Sequence, residues 1–154
     1  MKIGARRPLG WTSFALAVVT GASVQAGETG QGSIRAMIAR HAVQQGIPPA
    51  LADAVVRVES RYNPSARNGR NIGLTQISYP TARAMGYSGT PAGLLDADTN
   101  LRFGIIYLAR AYRLAKGDTC NTVLKYQAGH GAHSMTAAAR SYCNKIKPQI
   151  ATAS

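Results

Sequence analysis

Apolar side chains recur at helical spacing along most of the chain after residue 32. The first such stretch begins at Ser33, a good N-cap residue, and ends at Gly46. Its apolar positions Ile34, Met37 and Ile38 share one face of a helix. We therefore predict a first amphipathic helix over residues 33–45.

A second helix is predicted to open at Pro49, because proline is tolerated in a first helical turn. It must end before residue 63, because Pro64 disfavours the α conformation of its predecessor. The buried stripe of this helix consists of Leu51, Val55, Val58 and Glu59. A glutamate thus continues an otherwise apolar face.

The rest of the chain alternates between irregular and helical segments. Residues 63–79 are rich in Gly, Asn and Pro and predict a loop or short hairpin. Further helices are predicted over 81–85, from Asp98 or Thr99 to near Gly117, from Asp118 or Thr119 through Tyr126, and from Ser134 to about Ile146. The pattern indicates one small, mostly helical domain with one irregular lobe.

The N-terminal segment has the features of a secretory signal peptide. A basic start with Lys2, Arg6 and Arg7 precedes an apolar stretch, and small residues allow cleavage after Ala26. The alternative is a retained membrane anchor, but the apolar run is shorter than the roughly 20 residues of a spanning helix. We expect a signal peptide at 1–26, a flexible segment at 27–32, the domain at 33–147 and a tail at 148–154. The cleaved protein would have no stable membrane span.

The charge of the chain favours an anionic partner. The formal net charge is +12, and removal of Lys2, Arg6 and Arg7 leaves +9. The basic residues are scattered and no nucleic-acid-binding motif is present, so a cell-wall polymer or membrane surface fits better than nucleic acid. A generally basic, soluble surface is the alternative.

Cys120 and Cys143 are the two cysteines of the chain. An even number in an oxidising compartment suggests one disulfide, here between the last two predicted helices. His130 and His133 lie nearby but do not form a metal-binding spacing such as HExxH. We expect no metal and no cofactor.

Glu59 is the candidate catalytic residue. The chain has one other glutamate, Glu28, beside the predicted cleavage site. A carboxyl at the C-terminal end of a helix and against an apolar surface should keep its proton, because burial and the helix dipole both disfavour the charge. Its pKa should rise above the ordinary value of about 4.3, which suits a general acid near neutral pH.

Several short motifs follow Glu59 in a fixed order. They are Glu59-Ser60, Asn63-Pro64, Gly73-Leu74-Thr75-Gln76-Ile77, Leu95-Asp96-Ala97-Asp98-Thr99-Asn100-Leu101 and Tyr126-Gln127-Ala128-Gly129-His130-Gly131. In this order they resemble the soluble lytic transglycosylase family, whose domain is related to goose-type lysozyme. The resemblance covers about residues 35–147 and implies a mainly α, lysozyme-like (goose-type/SLT) helical domain with a small irregular or β-hairpin lobe.

The resemblance also implies a reaction. Such enzymes cleave the β-1,4 bond between N-acetylmuramic acid and N-acetylglucosamine in peptidoglycan. One Glu, here Glu59, protonates the glycosidic oxygen while the substrate's acetamido oxygen assists at the anomeric carbon. The same Glu then deprotonates the C6 hydroxyl, which closes a 1,6-anhydro ring. Substrate assistance removes the need for a second carboxylate.

The substrate-binding residues are carried over by position. The resemblance implies that Ser60 and Gln76 line the site and bind the acetamido group or Glu59, and that Tyr126 orients Glu59 or the sugar. Thr75 stands where the family has Met, and Gln127 where it has Asn. We expect both to contact substrate, with Thr75 giving a smaller and more polar wall.

Three other interpretations remain open. One is a lysozyme-type muramidase on the same scaffold, and another is a wall-remodelling or assembly factor for a secretion or conjugation apparatus. The third is a basic nucleic-acid or lipid binder, which would bind without sugar preference and lose affinity steeply with salt. By family analogy we expect a periplasmic or secreted monomer that acts on peptidoglycan glycan strands, with a secretion-system component as a further partner.

Overall fold

The computed structural model describes residues 23–152 of the chain. Six α-helices and one 3₁₀ helix make up most of this part. They are α1 (Ser23–Gln45), α2 (Pro49–Ser60), α3 (Tyr79–Ala84), the 3₁₀ helix (Pro91–Leu95), α4 (Ala97–Leu114), α5 (Thr119–Ala128) and α6 (Ala137–Ala151). The prediction of a mainly helical domain is confirmed. The predicted signal segment lies mostly outside the described residues.

The segment predicted as a loop or hairpin forms a small antiparallel sheet. Its strands are β1 (Arg67–Asn68), β2 (Asn71–Ile72) and β3 (Ile77–Ser78), in the order β1-β2-β3. Arg67 pairs with Ile72, and Ile72 pairs with Ile77. This sheet, α3 and the 3₁₀ helix together form the smaller lobe.

The larger lobe is built from α1, α2, α4, α5 and α6. Helix α2 packs between α1 and α6, and α4 packs against α1 and α5. The side chains of Ile38, Leu51, Val55, Leu108 and Ile146 lie in the core of this lobe. A second apolar cluster, with Ile77, Tyr87 and Leu94, fills the smaller lobe.

A buried asparagine joins the two lobes. Asn100 of α4 donates through Nδ2 to the carbonyls of Ile72 and Leu94, at 2.9 and 2.8 Å. Its Oδ1 accepts from the backbone N–H and the hydroxyl of Thr75, at 2.9 and 2.7 Å. At Gly73 (φ +73°), a Cβ would lie 2.2 Å from Asn100 Nδ2, so the loop needs glycine there. The whole loop before β3 is therefore fixed on α4.

Helix α1 is longer than predicted. Residues 27–32, expected to be flexible, are helical, and the helix begins at Ser23 instead of Ser33. Glycine lowers helix propensity by about 1 kcal/mol per residue but does not forbid a helix. Because an existing helix extends without a new nucleation step, α1 continues through Gly30 and Gly32.

The ends of two other helices also differ from prediction. Asp96, not Asp98 or Thr99, caps α4 by accepting from the Thr99 N–H at 2.8 Å. Helix α6 is capped by Thr136 instead of Ser134, and it continues past Pro148 to Ala151. Proline removes one backbone donor, which a helix tolerates better in its last turn than in its interior. Within residues 23–152, no helix is long and apolar enough to cross a membrane.

Candidate active site

Helix α2 presents Glu59 at its C-terminal end. The apolar face of the helix, including Leu51 and Val55, is buried in the core. Arg61 and Tyr62 then adopt left-handed backbone conformations, with φ of 52° and 63°, and turn the chain away from the helix axis. Glu59 is therefore the last side chain of the buried stripe and is partly exposed at its edge.

Glu59 opens into a cleft between the two lobes with a volume of about 490 Å³. The cleft has walls from α2, the small sheet, α3, α4, α5 and α6. Its lining consists of Val58, Glu59, Asn68, Asn71, Gln76, Ile77, Ser78, Thr81, Tyr107, Tyr126, Gln127, Tyr142 and Lys145. Within this lining Glu59 is the one carboxylate, and most of the other groups are neutral hydrogen-bonding side chains or aromatic rings.

Tyr142 of α6 contacts Glu59 directly. Its hydroxyl donates to Glu59 Oε1 at 2.5 Å. The next residue, Cys143, is buried and forms the predicted disulfide with Cys120 at the start of α5. The disulfide therefore ties the segment that carries Tyr142 to the neighbouring helix.

Burial sets the protonation of Glu59. Desolvation raises the pKa of the Glu59 carboxyl above its ordinary value, and the hydrogen bond from Tyr142 opposes part of this rise. The predicted direction is confirmed. Burial and the nearby Glu59 charge in turn raise the pKa of Tyr142, so its phenol stays protonated and available as a donor.

Tyr126 lines the cleft but its hydroxyl does not reach Glu59. The hydroxyl donates to the carbonyl of Thr75 at 2.6 Å, and the ring packs on that of Tyr107 with centroids 5.4 Å apart. Burial raises the pKa of Tyr126 well above its ordinary value. Of the two tyrosines near Glu59, Tyr142 hydrogen-bonds the carboxyl, and Tyr126 hydrogen-bonds the backbone of the loop before β3.

Thr75 does not line the cleft, contrary to expectation. Its side chain is 2% exposed and points at Asn100 and Gly104. An added Cβ on Gly104 would lie 2.2 Å from Thr75 Oγ1, so the helix comes close to the loop here. The expected smaller, more polar wall is therefore absent from the described cleft, because Thr75 faces the junction between the lobes.

The other predicted residues are divided between the interior and the cleft. The Ser60 side chain is buried, and its hydroxyl donates to the Val56 carbonyl of its own helix at 3.1 Å. Gln76 does line the cleft, but its Nε2 already donates to the carbonyls of Ala66 and Gly73. Only its Oε1 is left to bind a ligand. Gln127 lines the cleft and is exposed.

Sequence reasoning missed several lining residues: Asn68, Asn71, Ser78, Thr81, Tyr107, Tyr142 and Lys145. Tyr142 had a usable signal, because it precedes a disulfide cysteine and a buried tyrosine hydroxyl requires a partner. The polar residues of the sheet carried no such signal. Their position depends on how the sheet packs against α3 and α4.

The geometry of the cleft suits acid–base chemistry on a polar, elongated ligand. Glu59 has a raised pKa and a fixed donor on one oxygen, which leaves its other oxygen for a ligand. Amide side chains and tyrosine rings, which offer both hydrogen-bonding groups and apolar faces, line much of the rest of the cleft.

Comparison with known families and curated proteins gives a consistent result. The family model described as the Transglycosylase SLT domain matches residues 36–148. The chain is 38% identical over 72 residues to the endo-type membrane-bound lytic murein transglycosylase A of Cronobacter sakazakii. The matched region covers 42% of this chain and 36% of that protein. The chain thus spans about a third of the length of this relative.

Solved structures share the fold. An inactive mutant of the lytic transglycosylase Slt from Pseudomonas aeruginosa superposes with a TM-score of 0.68 and 21% identity, over 75% of this chain and 23% of that one. The 70 kDa soluble lytic transglycosylase of Escherichia coli superposes with a TM-score of 0.58 and 26% identity, over 73% of this chain and 18% of that one. The complex of the 70-kDa soluble lytic transglycosylase with bulgecin A superposes with a TM-score of 0.57 and 25% identity, over 73% of this chain and 18% of that one.

Proposed function

The chain belongs to the Transglycosylase SLT domain family, and on that premise we propose that it is a peptidoglycan lytic transglycosylase with Glu59 as its acid and base. It would cleave the β-1,4 bond between N-acetylmuramic acid and N-acetylglucosamine and leave a 1,6-anhydro end. The observation that carries this proposal is the desolvated Glu59 carboxyl, held by Tyr142 at the edge of a polar cleft.

The first step needs a proton donor. Glu59 gives its proton to the glycosidic oxygen as the C1–O bond breaks, while the 2-acetamido oxygen of the substrate bonds to C1. The raised pKa of Glu59 supports this role, because the group must still hold its proton near neutral pH. The leaving sugar departs with a neutral hydroxyl.

The second step needs a base. The Glu59 carboxylate removes the proton of the C6 hydroxyl, O6 bonds to C1, and the acetamido oxygen leaves. Glu59 is thereby protonated again, and no water is consumed. The hydrogen bond from Tyr142 stabilises the carboxylate between the two steps and limits how far burial raises its pKa.

The absence of a second acid in the lining favours this route over hydrolysis. Glycosidases that activate water, or that form a covalent intermediate, use two carboxylates roughly 5–10 Å apart. Glu59 is the one acid in the lining of the described cleft. Asp53 of the same helix lies outside this lining; it accepts a hydrogen bond from Tyr62 and pairs with the Arg35 guanidinium at 3.6 Å.

The chain would act outside the cytoplasm. We propose that residues 1–26 direct export to the periplasm, where the oxidising environment preserves the Cys120–Cys143 disulfide and peptidoglycan is accessible. A relative's name includes the term membrane-bound, so retention of the signal as an anchor is the alternative. The mass of the protein isolated from the cell envelope distinguishes a cleaved signal from a retained anchor, because cleavage after Ala26 makes residue 27 the first residue. A wall-remodelling or assembly role for a secretion or conjugation apparatus stays the alternative function.

The reaction is tested on purified sacculi with wild type beside Glu59→Gln. Mass spectrometry should find anhydromuropeptides released by wild type alone. Reducing-end muropeptides would assign the chain to the muramidases instead. Release of any products by Glu59→Gln at the wild-type rate would remove Glu59 from the mechanism. Binding without products from either protein would indicate a wall-binding factor.

A further inference from the structure

A second depression lies beside the cleft, between the C-terminal end of α2 and helix α6. We call it the side groove; it has a volume of about 440 Å³. Its lining consists of Gln31, Arg57, Val58, Arg61, Tyr62, Lys145 and Gln149. Val58 and Lys145 line the cleft as well, so the two depressions share a wall. A ligand in the cleft could therefore send a branch into the side groove.

Basic residues from separate parts of the sequence come together in the side groove. Arg57 lies on α2, Arg61 is the residue directly after its end, and Lys145 lies opposite on α6. All three side chains are exposed, and none forms an ion pair with a carboxylate among residues 30–152. The acids of this part of the chain lie elsewhere or are engaged, since Asp98 pairs with Arg40 and His41.

The buried Tyr62 forms the floor of the side groove and is held by hydrogen bonds. Tyr62 is 6% exposed, and its hydroxyl donates to Asp53 at 2.9 Å. Arg35 donates to the same hydroxyl at 3.2 Å and lies over the ring, 5.0 Å from its centroid. These contacts fix the turn after α2, from which Arg61 projects. The cations of the side groove thus stand on a defined surface.

We propose that the side groove binds the carboxylates of the stem peptide attached to the muramic acid lactyl group. This inference rests on the proposed function, because it requires a peptidoglycan strand in the cleft. A glycan strand itself is nearly neutral, but its stem peptides branch from alternate sugars and bear several carboxylates. Arg and Lys side chains bind such groups through charge-assisted hydrogen bonds, and Arg can do so bidentately. Gln31 and Gln149 would donate to backbone carbonyls of the peptide.

The side groove therefore makes the enzyme prefer peptide-bearing strands. We would compare three substrates: strands with their stem peptides, strands stripped of them by an amidase with the freed lactyl carboxylates then converted to amides, and strands whose stem carboxylates are amidated. All three should come from wall preparations free of other anionic polymers. The test variant is Arg57→Gln/Arg61→Gln, which leaves the cleft lining intact. Arg83→Gln/Lys147→Gln is the matched control, with the same loss of charge at exposed sites outside both depressions.

The expected result is a KM on peptide-bearing strands that rises about tenfold in the test variant, since two exposed charge contacts are lost. Its KM on stripped or amidated strands should change by less than about twofold. The control should match wild type on all three. An equal loss on peptide-bearing and stripped strands, or no loss on either, would overturn the proposal.

Direct binding of a stem peptide tests the side groove separately from the proposed function. If wild type releases no products from any strand, titration of a free stem peptide into wild type and the test variant decides the side groove alone. Tighter binding of the acidic peptide than of its amidated form, lost in the test variant, supports it. Equal binding of both forms, or equal competition by a short DNA duplex, indicates a general polyanion surface and refutes it.

Discussion

The hydroxyl of Tyr142 donates to Glu59 Oε1 at 2.5 Å, although the two residues are 83 positions apart. Helix α2 supplies the acid, and helix α6 supplies the group that tunes it. Burial and this hydrogen bond act in opposite directions on the pKa of Glu59. The balance between them sets the pH range in which Glu59 can both give and take a proton.

Replacing Tyr142 by Phe should shift the pH profile of the proposed reaction. The alkaline limb of kcat/KM follows the pKa of Glu59, whose protonated form is needed for the first step. Because the Tyr142 hydroxyl stabilises the carboxylate, its loss raises the pKa of Glu59 and moves this limb to higher pH. The turnover number should fall by about tenfold as the carboxyl loses its fixed orientation.

The matched control is Tyr112→Phe. Tyr112 lies on α4, packs against the core and lacks a side-chain hydrogen bond among the described contacts. This variant should keep the wild-type pH profile of kcat/KM. An alkaline limb that stays in place or moves to lower pH in Tyr142→Phe would contradict the role of Tyr142.

Replacing Glu59 by Gln should stabilise the fold at neutral pH. Because the folded-state pKa of Glu59 is raised, its charge costs stability above the unfolded-state value of about 4.3 and costs nothing well below it. Gln is neutral and can still accept from Tyr142. We expect a gain of roughly 1 kcal/mol near pH 7, or about 3–5 °C in Tm.

This gain should disappear as the pH is lowered. Thermal unfolding of wild type and Glu59→Gln from about pH 7 down to about pH 3.5 should show the two melting curves converging, since both side chains are then neutral. A constant difference across this range would mean that the substitution acts through packing and not through the charge of Glu59.

Local sequence predicted the helices and the stripe of α2 but not every cap, since Asp96 and Thr136 cap α4 and α6 in place of the predicted residues. Features that depend on distant packing were not predictable. The stripe that ends at Glu59 follows from side-chain spacing in one helix, and Asp118 caps α5 as predicted. By contrast, the choice of Tyr142 over Tyr126 as the partner of Glu59 depends on how α6 crosses α2. No periodicity within either helix encodes that crossing.

Thr75 shows the same limit within a recognised motif. Of its neighbours, Gly73 makes the turn and Gln76 lines the cleft, while the predicted contact of Gln76 with substrate stays a prediction. The side chain of Thr75 turns inward because Asn100 offers an acceptor and Gly104 leaves room. Both of these residues lie more than twenty positions away, so the motif alone could not indicate the direction.

Replacing Asn100 by Ala should destabilise the protein strongly. Four backbone or side-chain groups would lose their buried partner, and buried groups without partners cost roughly 1–3 kcal/mol each. We expect a loss of about 3 kcal/mol or more in the free energy of unfolding, measured in urea. The exposed Asn144→Ala is the control and should change it by less than about 0.5 kcal/mol. Equal effects of the two substitutions would remove Asn100 from its linking role.

Removing the disulfide should weaken both the fold and the site. For a sequence separation of 23, the chain-entropy model gives a loss of about 3 kcal/mol in Cys120→Ala/Cys143→Ala. Because Cys143 follows Tyr142, activity should fall as well, and reduction of wild type should reproduce both effects. Reductant should leave the double variant unchanged. A reduced wild type with full stability and activity would show that packing alone holds α6.

The distance along the chain between Glu59 and Tyr142 also orders events during synthesis. At about 5–20 residues per second, the ribosome adds Tyr142 on the order of ten seconds after Glu59. Until then, a nascent chain carries an acid without its tuning partner and without the wall that α6 contributes to the cleft. The proposed activity on peptidoglycan would thus begin only when α6 has folded onto α2 and placed Tyr142 against Glu59.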